Sequence, residues 1–221
     1  MFRIITLERE FGCGCGFIGS ELARHLGWKL WDQNLTCEIA RRPNVDESEV
    51  ALCEERVDSR LYRLAKTFWR GSYERSLPLA GSSAFDTDRM IAVMEEIMRN
   101  IADEGNAVVV GRGAPYFMRG RADTFSVFTY APHDEKVRRL LKMGKSREEA
   151  EDLLQTVDKE RIAFVKHYFN ADWPTRSLYH IMLNTAVGDG PVIDTILETM
   201  RRVEHHPKAT GYEAPSELHQ G

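Results

Sequence analysis

The sequence predicts an α/β protein built on a parallel sheet, and three observations carry that reading. Short apolar runs alternate with amphipathic stretches of helical period along most of the chain. The first of these runs ends in a glycine-rich loop that passes into helical spacing and then into a second short run. The length, 221 residues at 43% hydrophobic, supplies one sizeable core and argues against a second full domain.

Arg3 to Leu7 opens the chain as a buried strand, with the charged Glu8-Arg9-Glu10 after it. The loop Phe11-Gly12-Cys13-Gly14-Cys15-Gly16-Phe17-Ile18-Gly19 follows, with glycine at alternate positions. From Ile18 onward Leu22, Ala23 and Leu26 stand at helical spacing, and Gly27 supplies a stop. Trp28 to Trp31 reads as a second strand, ending at Asp32. Leu35 to about Leu64 has a charged helical pattern broken near Pro43-Asn44. Thr67 to Asp86, with Gly71, Pro78 and Gly81-Ser82-Ser83, reads as a mobile segment.

Met90, Val93, Met94, Ile97 and Ile101 form an amphipathic helix with a stop at Gly105. Ala107 to Val110 is a buried strand followed at once by Gly111-Arg112-Gly113, and Phe125 to Tyr130 is another that ends at Ala131-Pro132. Ser146-Arg147-Glu148-Glu149 has the form of a capping box. The helix it starts carries Ala150, Leu153, Leu154, Val157, Phe164 and Tyr168 on one stripe, with Arg161 among them. Ile181 to Leu183 is the last strand, and Val192 to Met200 the last helix. A polar tail over 201–221, with Pro207 and Pro215, is expected to be disordered.

Thirty basic and 34 acidic residues give a formal net charge of −4, which provides no general electrostatic footing for nucleic acid. The amino terminus lacks the layout of a signal peptide, and no apolar run approaches the roughly 20 residues that span a bilayer. The expectation is a soluble, cytoplasmic protein with no membrane partner. Four cysteines are too few for a disulfide framework at this size. Cys13-Gly14-Cys15 has one residue between its thiols where zinc sites use two to four, and Cys37 and Cys53 offer no matching pair, so no metal site is expected from them.

A strand that ends in a glycine-rich turn and feeds a helix makes an anion site. Glycine lets several backbone N–H groups converge, and the helix amino terminus adds partial positive charge. Two phosphate motifs compete for this loop. Gly14-x-Gly16-x-x-Gly19 fits the dinucleotide fingerprint literally, with Asp32 ending the next strand. The phosphate loop G-x-x-x-x-G-K-[ST] is not matched literally, and the Gly12–Gly19 loop holds no lysine. The motifs alone leave both open.

The run from Ile4 to Gly14, Ile-Ile-Thr-Leu-Glu-Arg-Glu-Phe-Gly-Cys-Gly, resembles the opening of cytidylate kinase-like proteins. Further segments resemble the same family in the same order: Trp31-Asp32-Gln33-Asn34-Leu35, Val108-Val109-Val110-Gly111-Arg112-Gly113, Phe128-Thr129-Tyr130-Ala131-Pro132, Val157-Asp158-Lys159-Glu160-Arg161 and Leu183-Asn184-Thr185. The resemblance runs over about residues 3–200. It implies a three-layer α/β fold of P-loop NTPase type over 1–200, with a mobile substrate-binding insert at about 35–88 and a lid at about 143–173. It also implies phosphoryl transfer from ATP, with Mg2+, to a nucleoside monophosphate (CMP-like) or a similar small phosphate acceptor.

In this resemblance Gly12, Cys13, Gly14, Cys15, Gly16 and Phe17 hold the triphosphate. Gly16 stands where the family carries a phosphate-binding lysine or arginine, Phe17 falls near the magnesium-binding hydroxyl, and Cys15 replaces a glycine. A lost lysine removes charge from the β/γ-phosphates, so another cation substitutes or the protein is a nucleotide-binding pseudokinase without turnover. Arg9 is either a phosphate contact standing in for that lysine or the partner of a neighbouring acid. Asp32 is either near the monophosphate or its metal, or an N-cap for the segment after it. Arg112, between two glycines, can grip the acceptor's phosphate in a bidentate fork. Arg161 is either a lid arginine acting on the transferring phosphoryl group or the partner of Asp158 on its own helix. Of Arg138 and Arg139, one is expected to be solvated and one to face the site. A dinucleotide-binding oxidoreductase is the remaining reading. The oligomeric state stays open, a homo-oligomer included.

Overall fold

The computed structural model describes residues 1–32 and 87–205. The expected insert at about 35–88, apart from residues 87 and 88, lies outside these residues, as do Cys37, Cys53 and residues 206–221; the first five residues of the tail expected over 201–221 continue the last helix to His205. Five strands run in chain order: β1 (Ile4–Arg9), β2 (Lys29–Trp31), β3 (Ala107–Val110), β4 (Thr124–Tyr130) and β5 (Ile181–Asn184). Between and after them come α1 (Cys15–Leu26), α2 (Thr87–Glu104), α3 (Ala114–Phe117), α4 (His133–Lys142), α5 (Arg147–Phe169) and α6 (Asp189–His205). All four strand pairings are parallel, in the order β2-β3-β1-β4-β5.

Alternate residues of the central strands feed two cores, which makes the fold three-layered. Ile5 and Leu7 of β1, Val108 and Val110 of β3, and Phe125 and Val127 of β4 pack with Ile18 and Leu22 of α1 and Ile193, Ile196 and Leu197 of α6. Ile4, Ala107 and Val109 point the other way, onto Met94, Ile97, Met98 and Ile101 of α2. Strands buried on both faces read as unbroken apolar runs, and that is why β1 and β3 were legible in the sequence.

The strand order separates two fold types that share a glycine loop. A dinucleotide-binding sheet places its second strand beside its first. Here β1 is flanked by β3 and β4, and β2 lies at the sheet edge. The loop after β1 enters α1 on one face, whereas β3 is followed by α3, whose Ala114 packs on the other. Connections that leave neighbouring strands toward opposite faces open a crevice at their carboxyl ends, where open α/β sheets bind ligands.

Three local differences from the sequence expectations bear on that crevice. Strand β1 continues through Glu8 and Arg9, whose Cα partners are Phe128 and Thr129, so these charges belong to the sheet rather than to a linker. Helix α1 begins at Cys15, three residues before its apolar spacing becomes regular, with left-handed Gly14 (φ 86°) as N-cap. Helix α4 has no counterpart in the sequence reading, because its ten residues bury just Val137 and Leu140.

Candidate active site

The glycine loop is shaped by what holds its two ends. Beyond Arg9 the chain leaves the ladder: Glu10 N–H donates to Thr129 O at 3.0 Å, and Phe11 N–H donates to both carboxylate oxygens of Asp158 at 3.0 and 3.2 Å. Cys13 points into the core, with Sγ 3.3 Å from Thr129 Oγ1, and its carbonyl accepts from Thr185 Oγ1 at 2.7 Å. Helix α1 then starts with no side-chain cap and no acid in its first turn. Its leading N–H groups and the positive end of its dipole are left for an anion. Burial pushes both thiols up, so Cys13 and Cys15 act here as small apolar side chains. Gly16 lies within α1 and is absent from the left-handed region, and Phe17 is half exposed. The chain's Gly144-Lys145-Ser146 run sits apart from this loop, at the turn before α5, where Ser146 caps that helix.

Arg139 supplies a cation directly above the loop. A Cβ built on Gly14 would lie 2.0 Å from Arg139 Nη1, so the guanidinium occupies space that any other residue at position 14 would fill. It is held there by Glu135 Oε1 at 2.8 Å, Asp189 Oδ1 at 2.9 Å and Thr185 O at 3.2 Å. Its neighbour Arg138 turns outward to Glu135, and its side chain is 54% exposed against 17% for Arg139. The sequence identified the pair; which member faces the loop required the placement of α4.

Across the crevice, Gly111-Arg112-Gly113 forms a turn of three consecutive left-handed residues, with φ of 67°, 60° and 63°. Left-handed backbone costs glycine little because it has no Cβ, so the strain of this turn falls on Arg112. The turn is anchored by Gly111 N–H donating to Leu7 O at 2.7 Å. The Arg9 guanidinium lies against Gly111, where a Cβ would meet its Nη1 at 1.5 Å.

Glu8, Arg9, Asp32, Arg112 and Arg161 are all buried at this edge. Such a cluster is expensive unless its members compensate one another. Burial and then the nearby Arg9 push Arg112 down to about 9, against the pull of Asp32. Burial and Arg9 lower Arg161 as well, against Asp158. An incoming anion offsets this crowding of positive charge.

Each residue singled out in the sequence has a definite place. Gly12, Cys13, Gly14, Cys15, Gly16 and Phe17 form the turn and first helical residues of the loop. Arg9 lies between that loop and the Gly111 turn, 3.6 Å from Glu8 Oε1, and its Nη2 makes no hydrogen bond among the described residues. Asp32 follows β2 at the same edge, and its Oδ1 likewise accepts none. Its N-cap reading concerns residues outside those described. Arg161 is paired with Asp158 at 2.8 Å and also donates to Arg9 O at 3.1 Å. No local signal marks the parts that Thr129, Thr185 and Asp158 play in shaping the loop, because each acts on a segment more than a hundred residues away.

Comparison with known proteins agrees with this geometry. The model of the cytidylate kinase-like family matches residues 4–187. A cytidylate kinase from Methanosarcina mazei is 27% identical over 140 residues, covering 61% of this chain and 77% of that protein. A solved structure of an uncharacterized protein from Eubacterium ventriosum superimposes with a TM-score of 0.63 at 19% identity, covering 90% of this chain and 98% of the other, which shows the shared fold. With the family's pattern matched from the first strand to the loop after the last, the chain belongs to the cytidylate kinase-like family.

Proposed function

We propose that this protein transfers the γ-phosphoryl group of ATP to a nucleoside monophosphate, CMP-like, or a similar small phosphate acceptor. The observation that carries the reading is the pairing of two anion sites across one crevice. One is the uncapped start of α1 beneath Arg139; the other is the Gly111–Gly113 turn with buried Arg112. The triphosphate takes the first site and the acceptor's phosphate the second.

In the step itself, an acceptor phosphate oxygen attacks the γ-phosphorus, and the bond to the β–γ bridging oxygen breaks to release ADP. The protein's part is to position the two phosphates and neutralise their charge. Arg139 stands in for the lysine that the loop lacks, and Arg112 and Asp32 orient the acceptor. Arg9, between the loops, offsets charge on both. Magnesium is implied by the chemistry, and Asp32 fits it, since its Oδ1 has no hydrogen-bond partner among the described residues and one carboxylate beside phosphates suffices for an ion that keeps most of its water. Bound there, the ion would neutralise phosphate charge.

The pseudokinase reading rested on the missing lysine, and a guanidinium over Gly14 removes that ground. Incubation with Mg·ATP and each monophosphate in turn, with separation of the nucleotides, tests the proposal. One monophosphate should be converted to its diphosphate with equimolar ADP. Absence of any diphosphate product across the panel would reject it.

A further inference from the structure

Helices α4 and α5 grip the entrance of the phosphate loop residue by residue. Arg9 O accepts from Arg161 Nη1 at 3.1 Å. Glu10 pairs with Lys136 of α4. Phe11 N–H is held by both oxygens of Asp158, and its ring packs with Leu140, Ala150 and Val157. Gly12 sits beneath Lys136 and Leu154, where a Cβ would find neighbours at 3.2 and 3.4 Å. Each of these contacts comes from the same helical pair.

Two of them serve main-chain groups. After β1 leaves the sheet, Arg9 O and Phe11 N–H are main-chain groups in a buried bend, and each needs a partner. Arg161 and Asp158 supply those partners and also bind one another at 2.8 Å, so a single ion pair closes over the bend. Arg161 is 5% exposed in this arrangement. Nη1 of Arg161 is thus shared between the main chain at Arg9 and the carboxylate of Asp158.

We propose that Asp158 and Arg161 are positioning residues that hold the loop entrance in its triphosphate-binding shape, so that α5 sets the loop's affinity without touching the phosphates. The proposal rests on the reading of the Gly12–Phe17 loop as the ATP site, and it assigns Arg161 a role other than that of a lid arginine. Loop amides bind phosphate well only when their directions are fixed beforehand, and the bend at residues 9–11 determines where the next five amides point. Acceptor binding should be indifferent to the clasp, because the Gly111–Gly113 turn is anchored separately on Leu7.

The test compares Asp158→Ala, Asp158→Asn and Arg161→Ala in the full chain, with steady-state kinetics, calorimetry with ATP and amide hydrogen exchange. Asp158→Ala and Arg161→Ala should raise the KM and Kd for ATP about tenfold or more, with the acceptor KM and kcat at saturation little changed. Asp158→Asn, which keeps an acceptor for Phe11 N–H, should recover much of that loss. Exchange at Phe11 and Gly12 should quicken in Asp158→Ala while β3 and β4 stay protected. A fall in kcat for Arg161→Ala with ATP affinity intact would overturn the proposal and return Arg161 to the transferring phosphate. Unchanged exchange at Phe11 in Asp158→Ala would overturn it on the protein side, whatever ligand is used. If the unmodified protein bound no ATP, the assignment of the loop would fall, and the exchange result would still decide whether Asp158 holds it.

Discussion

Arg112 combines two properties that rarely coincide in one residue. It occupies left-handed backbone at φ 60°, and its guanidinium is buried beside Arg9 and Arg161. Strain of this kind persists where the surroundings impose it, and functional sites are where that happens. Arg112→Ala should raise the acceptor KM roughly ten- to a hundredfold, from about 1.5–3 kcal/mol of charged hydrogen bonding, with the ATP KM unchanged. Arg139→Ala should do the reverse, weakening ATP by a similar factor and sparing the acceptor. Equal effects on both ligands from either variant would contradict the two-site division. The cysteines give a third residue-scale expectation. With Cys13 and Cys15 buried and their thiols raised, neither should be alkylated by iodoacetamide at pH 8 until the protein unfolds, as peptide mass mapping would show. Rapid labelling of either in the native protein would mean that the loop opens.

Among the elements, those with strong local signals were legible and those without were missed. Helix α5 announces itself by its capping box, and both reciprocal hydrogen bonds are present: Glu149 N–H to Ser146 Oγ at 3.1 Å and Ser146 N–H to Glu149 Oε2 at 2.8 Å. Ser146→Ala should cost about 1 kcal/mol of stability and lower Tm by roughly 2–4 °C. ATP affinity should change little, because the cap lies about three helical turns from the Asp158–Arg161 clasp. A loss of ATP binding in proportion to Tm would instead tie the clasp to the whole helix. Helix α4 has no apolar stripe to read in the sequence, because its ten mostly charged residues bury just Val137 and Leu140. It is held by packing, as its contacts with the loop and α5 show.

For the whole molecule, the sheet order decides between the two motifs that share this glycine loop. With β3 inserted between β1 and β2, the crevice beside the glycine loop is bordered by the Gly111–Gly113 turn with Arg112, and the strand that ends at Asp32 lies one position farther out. ATP with magnesium should therefore raise Tm and NAD(H) should not. At a hundredfold excess over Kd, ATP should add about 2.7 kcal/mol, a rise of roughly 5–10 °C for a domain of this size. A shift with NAD(H) and none with ATP would restore the dinucleotide reading despite the sheet.

The sequence by itself determined the strands, most of the helices and the glycine loop, because each is written in contiguous residues: period 2 or 3.6, a cap, a stop, an alternation of glycine. It also supplied the family, through short motifs in a fixed order. Only the tertiary structure decided where each arginine lies and what it touches. Arg161 meets Arg9 across 152 positions of chain, Phe11 meets Asp158 across 147, and Arg139 reaches Gly14 from a helix that the sequence did not disclose. A guanidinium looks the same in any sequence. Its role follows from which buried main-chain group or anion site lies within about 3 Å of it, and that distance exists only once the sheet has brought the strand ends together.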